Sequence, residues 1–426
     1  MVNNRGEKKI LGNLNLKLSL NKLFLVILFY VSPVVDMISG YLVLVGVSSE
    51  GGFGSIGQLF RLLIMLGCFL ILRKKPVFFF TSMLAIAWLL FFEYYYFLFH
   101  NSLSGFLVGI AYGSKLIYLV LIFCVLHYQY KSNLISFYSL LKFIRNYTFI
   151  IALSLIFSFI FDIGFKTYYT RAFGTKGFYA SGNGLGVLMG VGLLLSIYYW
   201  KLYKKKYSLL ISLIICTASI LITTKTSLIF SIIGLFFIIL FLKSRLLSLL
   251  VISVLVTCII KFSEVLFSTL SLIFDVVYLR FQNSPSVLLF LMSNRDVFAI
   301  DALNSIDFNG IYIFRLIIGF GVFISFRNPN GIFTMYDTLE SDFFDVLFMY
   351  GVVGLLIYLA VVVFFLYKGI KNKCFFLVFI FILLIAHSLI AGHVLLNGMS
   401  GSLVPMLMLL ILMYNKNNYK INHLNN

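Results

Sequence analysis

A succession of apolar runs, each about long enough to cross a bilayer and separated mostly by short basic stretches, restricts this chain to one kind of fold. A helix that spans the hydrocarbon core needs about 20 apolar residues. Runs of this kind stand near 23–47, 58–73, 77–99, 105–127, 146–164, 181–200, 207–223, 226–242, 246–262, 342–367, 374–391 and 399–414. Inside lipid no water bonds the backbone, so every N–H and C=O must be paired within a helix or a closed barrel. The runs do not alternate apolar with polar residues, and this selects helices. Composition agrees, with 62% hydrophobic and 11% charged residues against about 45–50% and about 25% in soluble domains. The expected fold is an all-α polytopic membrane protein of about 12 transmembrane helices with one large extracytoplasmic segment. Residues 1–22 and 415–426 are expected as tails, 23–262 as helices one to nine, 263–341 as the large segment and 342–414 as the last three helices.

The formal net charge of +19 is mainly a topology signal. Arg5, Lys8, Lys9, Lys17 and Lys22 precede the first run. Arg73, Lys74 and Lys75, then Lys131, Lys142 and Arg145, then Lys201, Lys204, Lys205 and Lys206 occupy every second connection. Lys243 and Arg245, then Lys368, Lys371 and Lys373, then Lys416 and Lys420 continue the alternation. The intervening connections 48–57 and 100–104 have no Lys or Arg. The positive-inside rule puts the basic set in the cytoplasm, with both termini there. No nucleic-acid partner is implied. Met1 to Lys22 is polar and basic, so no cleavable signal peptide is expected. Cys68, Cys124, Cys216, Cys258 and Cys374 sit in apolar stretches without metal-ligand spacing and read as small buried hydrophobes, not disulfides.

Two connections on the disfavoured side carry positive charge. Residues 165–180 hold Lys166, Arg171 and Lys176, and residues 263–341 hold Arg280, Arg295, Arg315 and Arg327. Apolar stretches at 287–292 and 311–323 in the long segment are short for a span and read as interfacial or re-entrant helices. Asp36, Arg61, Glu93 and Lys115 fall inside the first four runs. Such residues face a bundle interior, as a polar cavity or as ion pairs that fix packing, and the sequence leaves the pairing open. His387 and His393 flank the outer end of the eleventh run, where a structural hydrogen-bonded role is the ordinary one. HExxH, paired-cysteine and GxxxxGK patterns are all missing, so no metal, cofactor or ATP site is expected.

Three stretches resemble one superfamily. Arg171-Ala-Phe-Gly-Thr-Lys176-Gly-Phe-Tyr-Ala-Ser-Gly-Asn183-Gly-Leu-Gly186 is similar to a loop-to-helix entry of bacterial O-antigen and capsular polysaccharide polymerases and of the related O-antigen ligases. Thr223-Thr224-Lys225-Thr226-Ser227 resembles their helix junction, with Lys225 where an Arg is usual. Ile318-Gly-Phe-Gly321, then Leu339-Glu340-Ser-Asp342-Phe-Phe-Asp345, then Gly351-Val-Val-Gly354 look like the exit from the family's large outer loop. The ligases carry a His in that loop, and residues 263–341 contain none. Arg171 to Gly186 and Arg295 to Gly310 each enclose fourteen residues, close to an Arg–Gly spacing found in the polymerases.

The resemblance implies a fold similar to C-type membrane glycosyltransferases and a polymerase that joins undecaprenyl-pyrophosphate-linked repeat units. A sugar hydroxyl of the acceptor attacks the anomeric carbon of the donor, and undecaprenyl pyrophosphate leaves. Guanidinium groups suit the diphosphate because they stay charged and bind it bidentately. The implied substrate-binding residues are Arg171, Arg295, Arg315 and Arg327, with Lys176, Lys225 and Asn183 beside them. Glu340 and Asp342 are the implied carboxylates for the acceptor hydroxyl, with Asp345, Asp296 and Asp301 as alternatives. Partners would be the two lipid-linked glycans, membrane lipid, a chain-length regulator and a flippase, at a bacterial cytoplasmic membrane. A lipid-linked oligosaccharide flippase and an O-antigen ligase are the rival readings.

Overall fold

A computed structural model describes residues 20–48, 55–100, 103–168, 173–242 and 341–414, together with 282, 300, 304, 316–319, 321 and 339. Helices α1 (Leu20–Leu44), α2 (Ile56–Leu72), α3 (Pro76–His100), α4 (Leu103–Lys131) and α5 (Phe137–Ile160) lead to a small hairpin. Its strands are β1 (Phe165–Tyr168) and β2 (Phe173–Gly177). Then come α6 (Gly182–Tyr203), α7 (Lys206–Ile222), α8 (Lys225–Phe241), α9 (Asp342–Lys371), α10 (Phe375–Ala391) and α11 (Leu403–Met413). Six of them, α1, α3, α4, α5, α6 and α9, are long and apolar enough to cross a membrane. The chain is thus a helical, membrane-embedded protein. The expected run 246–262 and most of 263–341 lie outside the described residues.

Helix starts follow local chemistry. Ser55, Ser136, Ser181 and Thr224 each accept a backbone N–H of the first turn they precede, which satisfies a donor the helix leaves open. Ser136 and Ser139 bond reciprocally and start α5 at Phe137, nine residues before the expected run. Arg145, expected as a loop charge, is therefore inside α5 and buried. The split expected at residues 223–226 is present: Thr223 turns left-handed at φ 60° after α7, and α8 begins at Lys225.

The expectation of helices alone is corrected at 165–177. β1 and β2 pair antiparallel, Lys166 opposite Thr175 and Tyr168 opposite Phe173. The hairpin lies over the α7–α8 turn, where the Thr167 hydroxyl donates to the Ile222 carbonyl at 2.7 Å. The same carbonyl, at the end of α7, also accepts the Thr223 hydroxyl at 2.7 Å.

At the centre stands α6, with every residue from Gly184 to Trp200 buried. A helix that is apolar on all sides suits that position. Small residues let its neighbours close in. Thr224 of α8 lies against Gly186, Phe230 of α8 against Gly190 and Thr148 of α5 against Gly192. Ser196 and Ser212 join α6 to α7 by a 2.8 Å hydrogen bond.

Helix α9 is broken at Gly351, whose φ of 67° and ψ of −173° are closed to residues with a Cβ. The break frees the Met349 carbonyl, and the Gly321 N–H donates to it at 3.0 Å. Gly319, at φ 91°, backs directly onto Met349 and Tyr350. Two parts of the third stretch that carried the resemblance are thus halves of one backbone interlock. Replacing Gly351 with Ala imposes a strained backbone worth about 1–3 kcal/mol and thrusts a methyl at Ile317. The thermal midpoint of the detergent-solubilised protein should fall. Gly67→Ala, in open space on α2, should leave it unchanged or raise it slightly. Equal midpoints for the two variants would remove the interlock from the account.

Candidate functional site

Four of the nine expected site residues are described: Lys176, Asn183, Lys225 and Asp342. Arg171, Arg295, Arg315, Arg327 and Glu340 lie outside the described residues, as do Asp296 and Asp301. The four fall at one end of the bundle, on or beside the N-termini of α6, α8 and α9.

Lys176 is on β2 and turns back toward the start of α6. Its ammonium donates to the Ala180 carbonyl at 2.9 Å and stands 5.3 Å from the Phe165 ring centre. Its stem packs on Gly182, which also faces Thr224. Asn183 is partly exposed in the first turn of α6. Lys225 is the exposed first residue of α8. Around it, Thr224 Oγ1 accepts the Ser227 N–H at 3.2 Å and Ser227 Oγ donates to the Thr224 carbonyl at 2.9 Å. The threonine–serine part of that motif therefore serves as a helix cap, and Lys225 is what it presents.

Asp342 is in a different setting. Its residue is 1% exposed. Oδ2 accepts from Ser388 Oγ at 2.6 Å and from the backbone N–H groups of Val394 and Leu395, each at 3.1 Å. Oδ1 is buried with no hydrogen-bond partner among the described residues. A carboxylate oxygen carrying three donors is occupied in holding the segment 392–402, the irregular connection between α10 and α11. Asp345 Oδ1 likewise accepts the Leu339 N–H at 2.8 Å, just ahead of α9. Oδ2 of Asp342 thus positions the segment beside the start of α9.

The segment 392–402 is what sequence reasoning passed over. Asn397 Oδ1 accepts the N–H groups of Met399 and Ser400 at 3.0 and 3.3 Å, and its amide donates to Ser181 Oγ at 2.9 Å. Ser181 is the N-cap of α6, so the segment is tied to the central helix as well as to α9. Gly398 sits on the Arg61 guanidinium: a Cβ there would be 2.6 Å from Cζ. Arg61 in turn pairs with Asp36 of α1 at 2.5 Å. Asp36 and Arg61 thus form an ion pair, a pairing the sequence left open. The Lys115 ammonium lies 3.7 Å from the Tyr112 ring centre, and Glu93 packs against Gly109 and is 1% exposed. His387 Nδ1 is 3.3 Å from Thr226 Oγ1, which links α10 to the first turn of α8. The sequence signal for the segment was Gly392-His393 and Asn397-Gly398, polar and flexible residues between two strongly apolar runs.

No family model and no curated protein matches this chain.

Chemically, the assembly places Lys176 and Lys225 beside the N-termini of α6 and α8. A helix N-terminus carries a partial positive charge of about half an electron. Such a face favours an anion. Among the described residues there is no group of three or more His, Cys, Asp or Glu able to hold a metal ion.

The role of Asp342 is open to measurement. In Asp342→Ala, Ser388 Oγ and two buried N–H groups lose their acceptor, at about 1–3 kcal/mol for each group left unpaired. Hydrogen exchange at Val394 and Leu395 should accelerate strongly. Asp342→Asn keeps an acceptor oxygen and should retain most of the protection. Unchanged exchange in the Ala variant would contradict the anchoring role.

Proposed function

We propose that this chain is a polysaccharide polymerase that joins undecaprenyl-pyrophosphate-linked oligosaccharide repeats at the outer face of a bacterial cytoplasmic membrane. The observation that carries the reading is the gathering of Lys176, Asn183 and Lys225, from two separate stretches of sequence, at the adjacent N-termini of α6 and α8. Two of the three motifs that resemble the polymerases meet there. The third runs into the start of α9, joined to the same face through Asp342, the 392–402 segment and Ser181.

The reaction makes one C–O bond and breaks one. The acceptor hydroxyl oxygen attacks the donor's anomeric carbon, and the bond from that carbon to the diphosphate oxygen breaks. The electron pair leaves with undecaprenyl pyrophosphate, and the hydroxyl proton passes to a carboxylate or to water. Negative charge grows on the departing oxygen, so cations fixed nearby stabilise the transition state more than the ground state. Lys176 and Lys225, with the dipoles of α6 and α8, are the described groups for that task, and Arg171, Arg295, Arg315 and Arg327 complete it. Lys225 acts as a point charge and not as a planar fork. Glu340 is the carboxylate for the acceptor hydroxyl, with Asp342 holding the helix start that follows it.

A purified, lipid-reconstituted chain supplied with a synthetic pyrophosphate-linked repeat should yield a ladder of products. Lys225→Ala should reduce the rate by about 10- to 1,000-fold, the scale for removing one charge-stabilising group, and Lys225→Arg should restore it. Transfer to an acceptor outside the lipid-linked pool would mark a ligase. Translocation of the repeat without any new glycosidic bond would mark a flippase, and either result would displace the polymerase reading.

A further inference from the structure

We propose that the lysine-rich end of the bundle, opposite the face described above, holds the phosphate of an anionic phospholipid headgroup, with Arg145 as its buried anchor. Arg145 is 3% exposed. Its Nε–H and one N–H of Nη2 donate to Asn146 Oδ1 at 3.2 and 2.8 Å, and one N–H of Nη1 donates to Ser208 Oγ at 3.0 Å. The guanidinium carbon lies 4.5 Å from the Tyr199 ring centre and 5.5 Å from that of Tyr207. All these partners are neutral. A guanidinium has five N–H groups, so one on each terminal nitrogen is left over, which suits a two-point grip on a phosphate.

A buried cation calls for a counter-anion, and none of the described residues pairs with Arg145 as one. Neither ion pair among the described residues involves Arg145. From Lys131 to Lys243 the sequence contains a single acid, Asp162, which follows the far end of α5. The same end of the bundle concentrates further cations. Lys142 is exposed one turn before Arg145, and Lys204, Lys205 and Lys206 join α6 to α7. Lys205 reaches the Tyr138 hydroxyl at 3.2 Å, and Tyr138 accepts from Tyr199 at 2.8 Å. A continuous path thus runs from the exposed ammonium, through two phenols, to the buried guanidinium. Asn146 is itself oriented by its amide donating to Tyr30 Oη at 2.8 Å, so Arg145 is gripped by α1 and α7 as well as its own helix.

Depth selects the ligand. Tyr199 is in the last turn of α6 and Ser208 in the first turn of α7, so Arg145 stands at the level where these helices leave the apolar layer. Tyr199 is also about 27 Å along α6 from its N-cap, Ser181, at 1.5 Å per residue. This site is therefore at the opposite end of α6 from the proposed diphosphate face. Basic pockets between helices at that level are suited to lipid phosphates, which are present there in every anionic membrane. Half-exposed Tyr207, beside the guanidinium, forms the rim.

The test uses the full chain, delipidated in a neutral detergent, with thermal unfolding followed as phosphatidylglycerol, phosphatidylcholine or inorganic phosphate is added. Phosphatidylglycerol should raise the midpoint by several degrees, with the other two giving little. Arg145→Gln should abolish that shift. The surface double variant Lys142→Gln/Lys205→Gln should keep the lipid-free midpoint and need several-fold more phosphatidylglycerol for half the effect. Equal shifts from phosphatidylcholine, or an undiminished response in the double variant, would overturn the proposal. A full shift from inorganic phosphate would transfer the site to a soluble anion. Failure here leaves the polymerase reading untouched, since no residue is shared between the two sites.

Discussion

The irregular backbone between α10 and α11 must find its hydrogen bonds inside the protein, and the placement of the starts of α6 and α9 depends on how it does so. Water is scarce beside an apolar bundle, and exposed N–H groups there are costly. Asp342 Oδ2 collects two of them and the Ser388 hydroxyl. Asn397 collects two more and passes its own amide to the N-cap of α6. Ser400 closes the segment on the His393 carbonyl at 2.7 Å. Each bond serves two purposes. It satisfies a donor, and it fixes one helix end relative to another. The starts of α6 and α9 are held by the same few residues, so they cannot drift apart without exposing several donors together.

The Asp36–Arg61 pair extends this logic into the bundle. A buried ion pair is poor evidence for added stability, because desolvation cancels much of the attraction. Its geometric consequence is clearer. Arg61 is fixed by Asp36 of α1 and covered by Gly398, and Ser39 Oγ accepts the Gly57 N–H at 3.3 Å beside it. The pair thereby sets the level at which the 392–402 segment rests. Only a residue without a side chain fits at 398, so the guanidinium and the backbone register one another.

Much of the helical plan was legible because lipid makes an unusually strict demand: long apolar runs and a charge alternation that no soluble chain shows. The misses each have a physical cause. Arg145 was counted among loop charges because the positive-inside rule reads position along the chain and not burial, although the Ser136–Ser139 box marked an earlier helix start. The hairpin was invisible because Phe165–Gly177 lacks period-two alternation. It is held by packing on the α7–α8 turn, which is a tertiary fact. Lys225 was noticed through its motif, but most of that motif is a cap. Asp342 stood out as an acid at a membrane boundary. Its burial depends on a segment fifty residues later, and nothing local announces that.

The break in α9 shows how one face of a bundle packed through buried apolar contacts is kept rigid. Without the break, Asp342–Lys371 would be one rod of thirty residues, and any tilt at its C-terminal end would swing its N-terminal end. Gly351 divides the rod. The N-terminal piece is then fixed twice: at its start by the three donors on Asp342, and at its end by the Gly321 N–H on the Met349 carbonyl. Just past the second anchor Tyr350 meets Phe92 of α3 edge-on at 5.7 Å. A reacting group needs support precise to fractions of an ångström. A short helical piece pinned at both ends supplies that where a long free helix does not, and it explains why glycines at 319, 321 and 351 belong to the same arrangement as the acid at 342.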